Sequence, residues 1–121
     1  MIITTGIVRV KNMNIERQQK LQSELNRFLP ILINQFGALK IIVFGSLASD
    51  EVSEWSDLDL VVVRNTSLRF LDRSAEMIRA LQPQVGVDFL VYTPDEWDCL
   101  TRENLFVRNE ISKKGKELYA A

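Results

Sequence analysis

Apolar positions along this chain follow two periods, and the switches between them mark its elements. From about Asn14 onward, Leu21, Leu25, Phe28, Leu32 and Phe36 recur at intervals of three and four, which places them on one face of a helix. Pro30 falls inside that stripe. It lacks an N–H and crowds the carbonyl four residues back, so a kink or a break is expected there. Gly37 follows the last apolar position and reads as a helix C-cap. "LKIIVF", residues 39–44, is then a compact run rich in branched side chains, and "LDLVVV", residues 58–63, is a second; both read as buried strands. Phe70, Leu71, Met77, Ile78 and Leu81 return to helical spacing between Ser67 and Gln82, with Ser74 on the same stripe and Pro83 as the stop. "VGVDFLVY", residues 85–92, reads as a third strand. "TPDE", residues 93–96, opens a helix: Thr93 is the N-cap, Pro94 the first helical residue, and Glu96 completes a capping box. One or two helices then run on to Gly115. Residues 1–13 alternate only weakly, and a short strand through Ile7 to Val10 is the expectation there.

The order helix, strand, turn, strand, helix, strand, helix predicts an α/β fold with helices packed on a sheet of three or four strands. A chain of 121 residues fits one domain, 1–121, with a core over about 20–118. It can bury somewhat more than about 60% of its unfolded surface, enough for one core of its own. No repeat, linker or low-complexity stretch interrupts it.

Composition narrows the chemistry by what is missing. There is no histidine, which removes an imidazole base, a Ser-His-Asp triad and a His-rich zinc site. Cys99 is the one cysteine, so neither an intrachain disulfide nor a cysteine metal cluster can form; it reads as a semi-buried helix residue. Carboxylates, hydroxyls, Lys and Arg remain, and such oxygen-rich sites suit hard cations, Mg²⁺ above all. A net charge of −1 argues against binding nucleic acid over a broad basic face. The N-terminus lacks the basic region of a signal peptide, and no apolar run approaches the roughly 18 residues of a membrane span. A reducing, cytoplasmic setting is expected.

Against that background, the stretch "GSLASDEVSEWSDLDLVVV", Gly45 to Val63, poses a physical problem. Aspartate is depleted in strands, and a buried carboxylate is costly unless something pairs with it. Asp57 and Asp59 nonetheless lead into an apolar strand, and alternation points both to one face. Two ionised carboxylates about 5 Å apart repel by on the order of 3 kcal/mol at an effective dielectric of 20. Asp88, inside "VGVDFLV", would join them if the second and third strands are neighbours. A cluster of that kind calls for a cation, and a pair of Mg²⁺ ions is the arrangement that serves in-line displacement at phosphorus. Gly45 ends the first strand and lets a ligand approach the backbone; Ser46 adds a hydroxyl and opens what reads as a short helical turn, "SLAS", suited to phosphate. No Walker loop occurs. Taken singly, each motif has an ordinary explanation as a turn or an edge-strand charge; the combination is far more specific.

"FGSLASDEVSEWSDLDLVVV" resembles the G-S-x10-D-x-D signature of the DNA polymerase beta-like nucleotidyltransferases. The small size and the third acidic strand, "VDFLVYTPDEW", most resemble the minimal nucleotidyltransferases, over roughly residues 20–118 and including the closing "EISKKGKELY". The resemblance implies a small mixed sheet flanked by helices. It also implies a nucleoside triphosphate, usually ATP, two Mg²⁺ ions, and transfer of a nucleoside monophosphate to a hydroxyl. On that basis Gly45 and Ser46 would hold the triphosphate, and Asp57 and Asp59 the metals. Asp88 would complete one metal site and help deprotonate the acceptor. Members this small are often encoded beside a separate HEPN-type protein, as antitoxin to its ribonuclease toxin, and can adenylylate it. The absence of histidine excludes an Arg-x4-His motif, so this chain would be the nucleotidyltransferase partner.

Two positions depart from the pattern. Where the family often has Arg or Lys followed by Gly, this chain has Ser49 and Asp50, which should weaken nucleotide binding. Arg64, Lys40 and Arg73 are the cations that could compensate. Trp55 either packs the loop or stacks on a base. The alternative reading is therefore an antitoxin of the same fold that acts by direct contact with little or no catalysis. With no second domain to close over the nucleotide, a partner or a second copy would have to exclude water.

Overall fold

The computed structural model describes the backbone of residues 2–121, with side chains described from Asn14 onward. Helix α1, Ile2–Asn34, leads into strand β1, Lys40–Phe44, and β2, Leu58–Val63, follows after a long turn region. Helix α2, Phe70–Leu81, connects to β3, Val87–Tyr92; α3, Pro94–Glu103, and a π-helical segment, Val107–Lys113, lead to β4, Lys116–Ala120. The strand expected through Ile7 to Val10 falls inside α1, where side chains lie outside the described residues, and the sheet takes no strand from it.

Helix α1 is not broken at Pro30. Both Pro30 and Asn26, whose carbonyl loses its hydrogen bond, are exposed, so water can take the place of the missing N–H. Past its end, Gly37 adopts φ 65°, and the Ala38 N–H returns to the Leu32 carbonyl at 2.9 Å, which closes the cap.

The sheet order is β3-β2-β1-β4. β1 runs antiparallel to β2 and to β4, while β2 and β3 are parallel and need the α2 crossover between them. Helices cover both faces, which explains why "LDLVVV" reads as a continuous apolar run. On one face Leu21, Leu25, Phe28 and Leu32 of α1 meet Ile41, Val43, Leu58, Leu60 and Val62. On the other, Ile42, Phe44, Val61 and Val63 meet Trp97, Val107 and Ile111.

Helix α2 departs from its expected stripe. Its buried residues are Arg73, Met77 and Leu81, while Phe70, Leu71 and Ile78 are exposed. A helix crossing over an edge strand buries a narrow stripe, and here an arginine occupies one of its positions. The Arg73 guanidinium bonds the Leu68 carbonyl at 2.9 Å, the Val91 carbonyl at 3.1 Å and the Glu96 carboxylate at 2.6 Å. The capping box at Thr93 and Glu96 forms as the spacing predicts. β4 was not expected as a strand after Gly115; its side chains are mostly exposed and give no periodic signal. Cys99 is exposed on α3 rather than semi-buried, since Trp97 alone carries that helix's fully buried contact.

Candidate functional site

The carboxylates gather where β1 ends and β2 and β3 begin. Phe44, the last residue of β1, pairs with Asp59 on β2, and Asp59 in turn stands in register with Asp88 on parallel β3. Period-two alternation puts Asp59 and Asp88 on the sheet face that carries Val61 and Val63, at the margin of the second core. Asp57 lies two residues before Asp59, just ahead of β2, with its side chain 61% exposed. Asp88 is exposed and lies near the start of its strand, so the side chain reaches solvent.

Two glycines make room for the aspartates. Gly45 adopts φ 72°, and a Cβ there would overlap Oδ2 of Asp59. A Cβ on Gly86 would likewise overlap Oδ1 of Asp57. Gly86 also accepts a hydrogen bond from the Leu58 N–H at 2.9 Å, which ties the start of β2 to the start of β3. Each of the two aspartates thus lies against bare backbone, with a strand beneath it.

Among the described residues the cluster is only partly compensated. Burial, followed by the charges of Asp88 and then Asp57, pushes the Asp59 carboxyl up to about 6. Among the described residues, neither Asp59 nor Asp88 has an ion-pair partner; Asp57 alone is approached by a cation, Arg17, at 3.7 Å. Three carboxylates of this kind suit a hard cation, and the raised Asp59 pKa shows that a positive charge would be welcome there. They do not yet form a closed cage. No group of three His, Cys, Asp or Glu side chains among the described residues stands close enough to hold an ion as arranged.

The Gly-Ser segment forms consecutive turns over residues 45–50 rather than the short helix expected of "SLAS". The Ser49 N–H bonds the Gly45 carbonyl at 3.1 Å, and the Glu51 N–H bonds the Ser46 carbonyl at 3.0 Å. Leu47, Ala48 and Val52 anchor this turn in the first core. Gly45, Ser46 and Ser49 line a cavity of about 280 Å³ together with Glu51, Glu110 and Lys114. Asp50 adopts φ 57°, a left-handed conformation that glycine takes at no steric cost and aspartate tolerates.

The cations expected to compensate for Ser49 and Asp50 are engaged elsewhere. Arg73 is held by Glu96, Arg64 by Glu76 at 3.1 Å and by the Phe36 carbonyl, and Lys40 by Glu117 at 3.2 Å. Trp55 is 82% exposed and does not pack the loop; Ser53 and Ser56 hold it through their hydroxyls instead. Sequence reasoning missed Arg17, Gly86 and Lys114. Gly86 carried a signal, since a glycine at the start of a strand often marks close approach by another group. Arg17 carried a fainter one, as it precedes Leu21 by four residues on the apolar stripe of α1. Lys114 carried none.

A mixed sheet with this order, a Gly-Ser turn after its first strand and a D-x-D at its second is the polymerase beta-like nucleotidyltransferase fold. The profile of the nucleotidyltransferase domain family matches residues 25–117, and the chain belongs to that family. Among solved structures, it is similar to a crystal structure from Sulfolobus solfataricus described as that of a candidate nucleotidyltransferase. The TM-score is 0.63 at 20% identity, with 89% of this chain and 87% of the other covered. At that identity the likeness bears on the fold. Comparison with curated proteins gives no match.

Proposed function

We propose that the chain transfers a nucleoside monophosphate, AMP from ATP in the leading case, to a hydroxyl on a partner protein, with Asp57, Asp59 and Asp88 as the working carboxylates. The observation that carries this is the Asp59–Asp88 register pair beside Asp57, a pair without an ion-pair partner among the described residues, with Asp59 lying against the glycine that opens the turn. In the reaction the acceptor oxygen forms a bond to the α-phosphorus, the bond to the β-phosphate oxygen breaks, and pyrophosphate leaves. Asp88, exposed near the start of β3, receives the hydroxyl proton. Gly45 and Ser46 receive the triphosphate at the turn. When bound, Mg²⁺ would neutralise charge on the phosphates and carboxylates, held by Asp57, Asp59 and Asp88.

The partner we propose is a HEPN-type protein, to which this chain would act as antitoxin in the cytoplasm. One specific observation favours the alternative, a weakly catalytic module that acts by contact. Among the described residues, Glu51 and Glu110 line the turn cavity with Lys114 as the one cation, a poor lining for a triphosphate. Titration calorimetry with ATP, with and without Mg²⁺, separates the readings: Mg²⁺-dependent binding supports transfer, and equal affinity in both conditions sinks the site. Labelled ATP incubated with a HEPN-type partner then tests the acceptor.

A further inference from the structure

Arg17 reaches from α1 to the loop that leads into β2. Its Nε donates to the Ser56 carbonyl at 2.8 Å, and its Nη2 stands 3.7 Å from Oδ1 of Asp57. The Arg17 side chain is only 20% exposed, whereas that of Asp57 is 61% exposed. The arginine is therefore the fixed partner, held by a backbone carbonyl, and the aspartate is the movable one. Of the three carboxylates Asp57 alone has a counter-ion among the described residues, and the three do not converge. Glu16 and Glu54 line a cavity of about 260 Å³ with Arg17 and Lys20, so the guanidinium still has other carboxylates nearby when Asp57 moves away.

From this geometry we infer that Arg17 is a positioning residue that holds Asp57 as its built-in counter-ion. A divalent cation must take its place before Asp57 can close on Asp59 and Asp88. The inference rests on the metal reading proposed above. It adds that α1 is coupled to the site: the charge of Arg17 opposes the first cation, and cation binding shifts the Arg17–Asp57 contact. The Ser56 hydrogen bond survives that exchange, because it involves backbone and does not depend on where the Asp57 carboxylate points.

The test is Mn²⁺ binding to the nucleotide-free protein, followed by paramagnetic resonance or calorimetry. Arg17→Met keeps the apolar stem and removes the charge, so Mn²⁺ should bind about tenfold tighter. Arg17→Gln, which keeps a donor for Ser56, should tighten binding similarly and covers the case in which the methionine variant folds poorly. Arg17→Lys retains the charge and should stay near wild type. In an Asp57→Asn background, Arg17→Met should change Mn²⁺ affinity little, which a merely structural arginine would not produce. If wild type binds Mn²⁺ but folded Arg17→Met and Arg17→Gln bind it equally or more weakly, the inference is wrong and the metal site stands. If neither wild type nor any variant binds Mn²⁺ saturably, the metal reading fails, and the inference with it.

Discussion

Arginine 73 and the aspartate cluster sit on the same small sheet, and the fold treats their charges in opposite ways. Arg73 is buried, yet each direction of its guanidinium is answered: by the Glu96 carboxylate, the Val91 carbonyl and the Leu68 carbonyl. Glu96 gains in turn, and its pKa is lowered first by the hydrogen bond from Arg73, against the cost of burial. At the other site, carboxylates stand in register across two strands with little to balance them, and Asp59 is pushed up to about 6. Both sites hold charge on one scaffold, one buried and matched, the other half-open and, among the described residues, matched only at Asp57. A sheet able to build the first arrangement leaves the second unbalanced, which is the gap the proposed cation would fill.

The largest effect should come from breaking the satisfied side. Glu96→Ala removes the carboxylate from a buried Arg73 and the second half of the capping box at Thr93. Leaving a buried charge unpaired costs about 3–5 kcal/mol. The Glu96 side chain is itself 44% exposed, so water can partly replace it. The loss should therefore lie at about 3 kcal/mol, lowering the melting temperature by about 10 °C. Thermal denaturation by circular dichroism checks this. The pH dependence has a definite sign. The folded pKa of Glu96 is lowered, so its contribution is present above the ordinary carboxylate range and is lost as pH falls through the folded value. A drop below about 2 °C would mean that the Arg73 cluster is surface-like after all.

Next in size is the open side. Asp57→Asn together with Asp59→Asn removes two of the three oxygen-donor carboxylates while keeping their shape. Mg²⁺-dependent ATP binding should weaken by about a hundredfold or more, or vanish, in calorimetry. The same variant should keep its fold, because neither side chain holds an element in place. Together with Glu96→Ala it separates charge that supports structure from charge that supports function.

The phosphate side of the cluster gives a smaller effect. Ser49 lines the turn cavity, whereas Asp50 stands in the same turn with positive φ and does not line it. Ser49→Arg with Asp50→Gly therefore divides its work: the arginine adds a cation beside Ser46, and the glycine relaxes the left-handed residue. ATP binding should tighten by about tenfold, at the low end of what one added charge contributes at a half-open site. Adding Asp57→Asn should abolish any gain in transfer. Unchanged affinity in the double variant would show that the triphosphate does not lie over Ser49.

What could be read from the sequence was chemistry settled within a few residues. The Thr93–Glu96 cap was legible because its partners are three residues apart. β2 was legible because helices cover both of its faces, and alternation along it puts Asp59 with Val61 and Val63; Asp57 lies just ahead of the strand, where alternation no longer fixes its direction. The meeting of Asp59 with Asp88 required that the strands be neighbours and that their register align the two, and both hold. The misses depend on long-range placement. Arg73 counts as polar in any periodicity, although its stem packs like an apolar side chain, so the α2 stripe is right at Met77 and Leu81 but wrong at Phe70, Leu71 and Ile78. β4 is an exposed edge, and the Arg17 contact with Asp57 joins a helix to a loop that no local pattern connects.

The smallest effect is also the most direct measure of the imbalance. In metal-free protein at neutral pH, Asp59 is ionised against its environment, so Asp59→Asn should raise the melting temperature or leave it unchanged. The folded pKa of about 6 lies above the ordinary aspartate value of 3.8, so the native state binds a proton more tightly than the unfolded chain. The Asp59 contribution is therefore fully present below about pH 4 and is lost as pH rises through about 6. Because the side chain is only half-buried, solvent screening reduces the effect to on the order of 1 kcal/mol, or a few degrees. The measurement is a series of melts with chelator from pH 4 to 8, read as the difference between Asp59→Asn and wild type, which cancels the opposite trend of Glu96. That difference should be greatest above pH 7 and shrink toward pH 4. Saturating Mg²⁺ should reverse its sign, since wild type then gains the ligand that the variant holds poorly. A clear loss of stability in the metal-free variant at pH 7 would instead make Asp59 a satisfied structural residue, and the contrast with Arg73 would collapse.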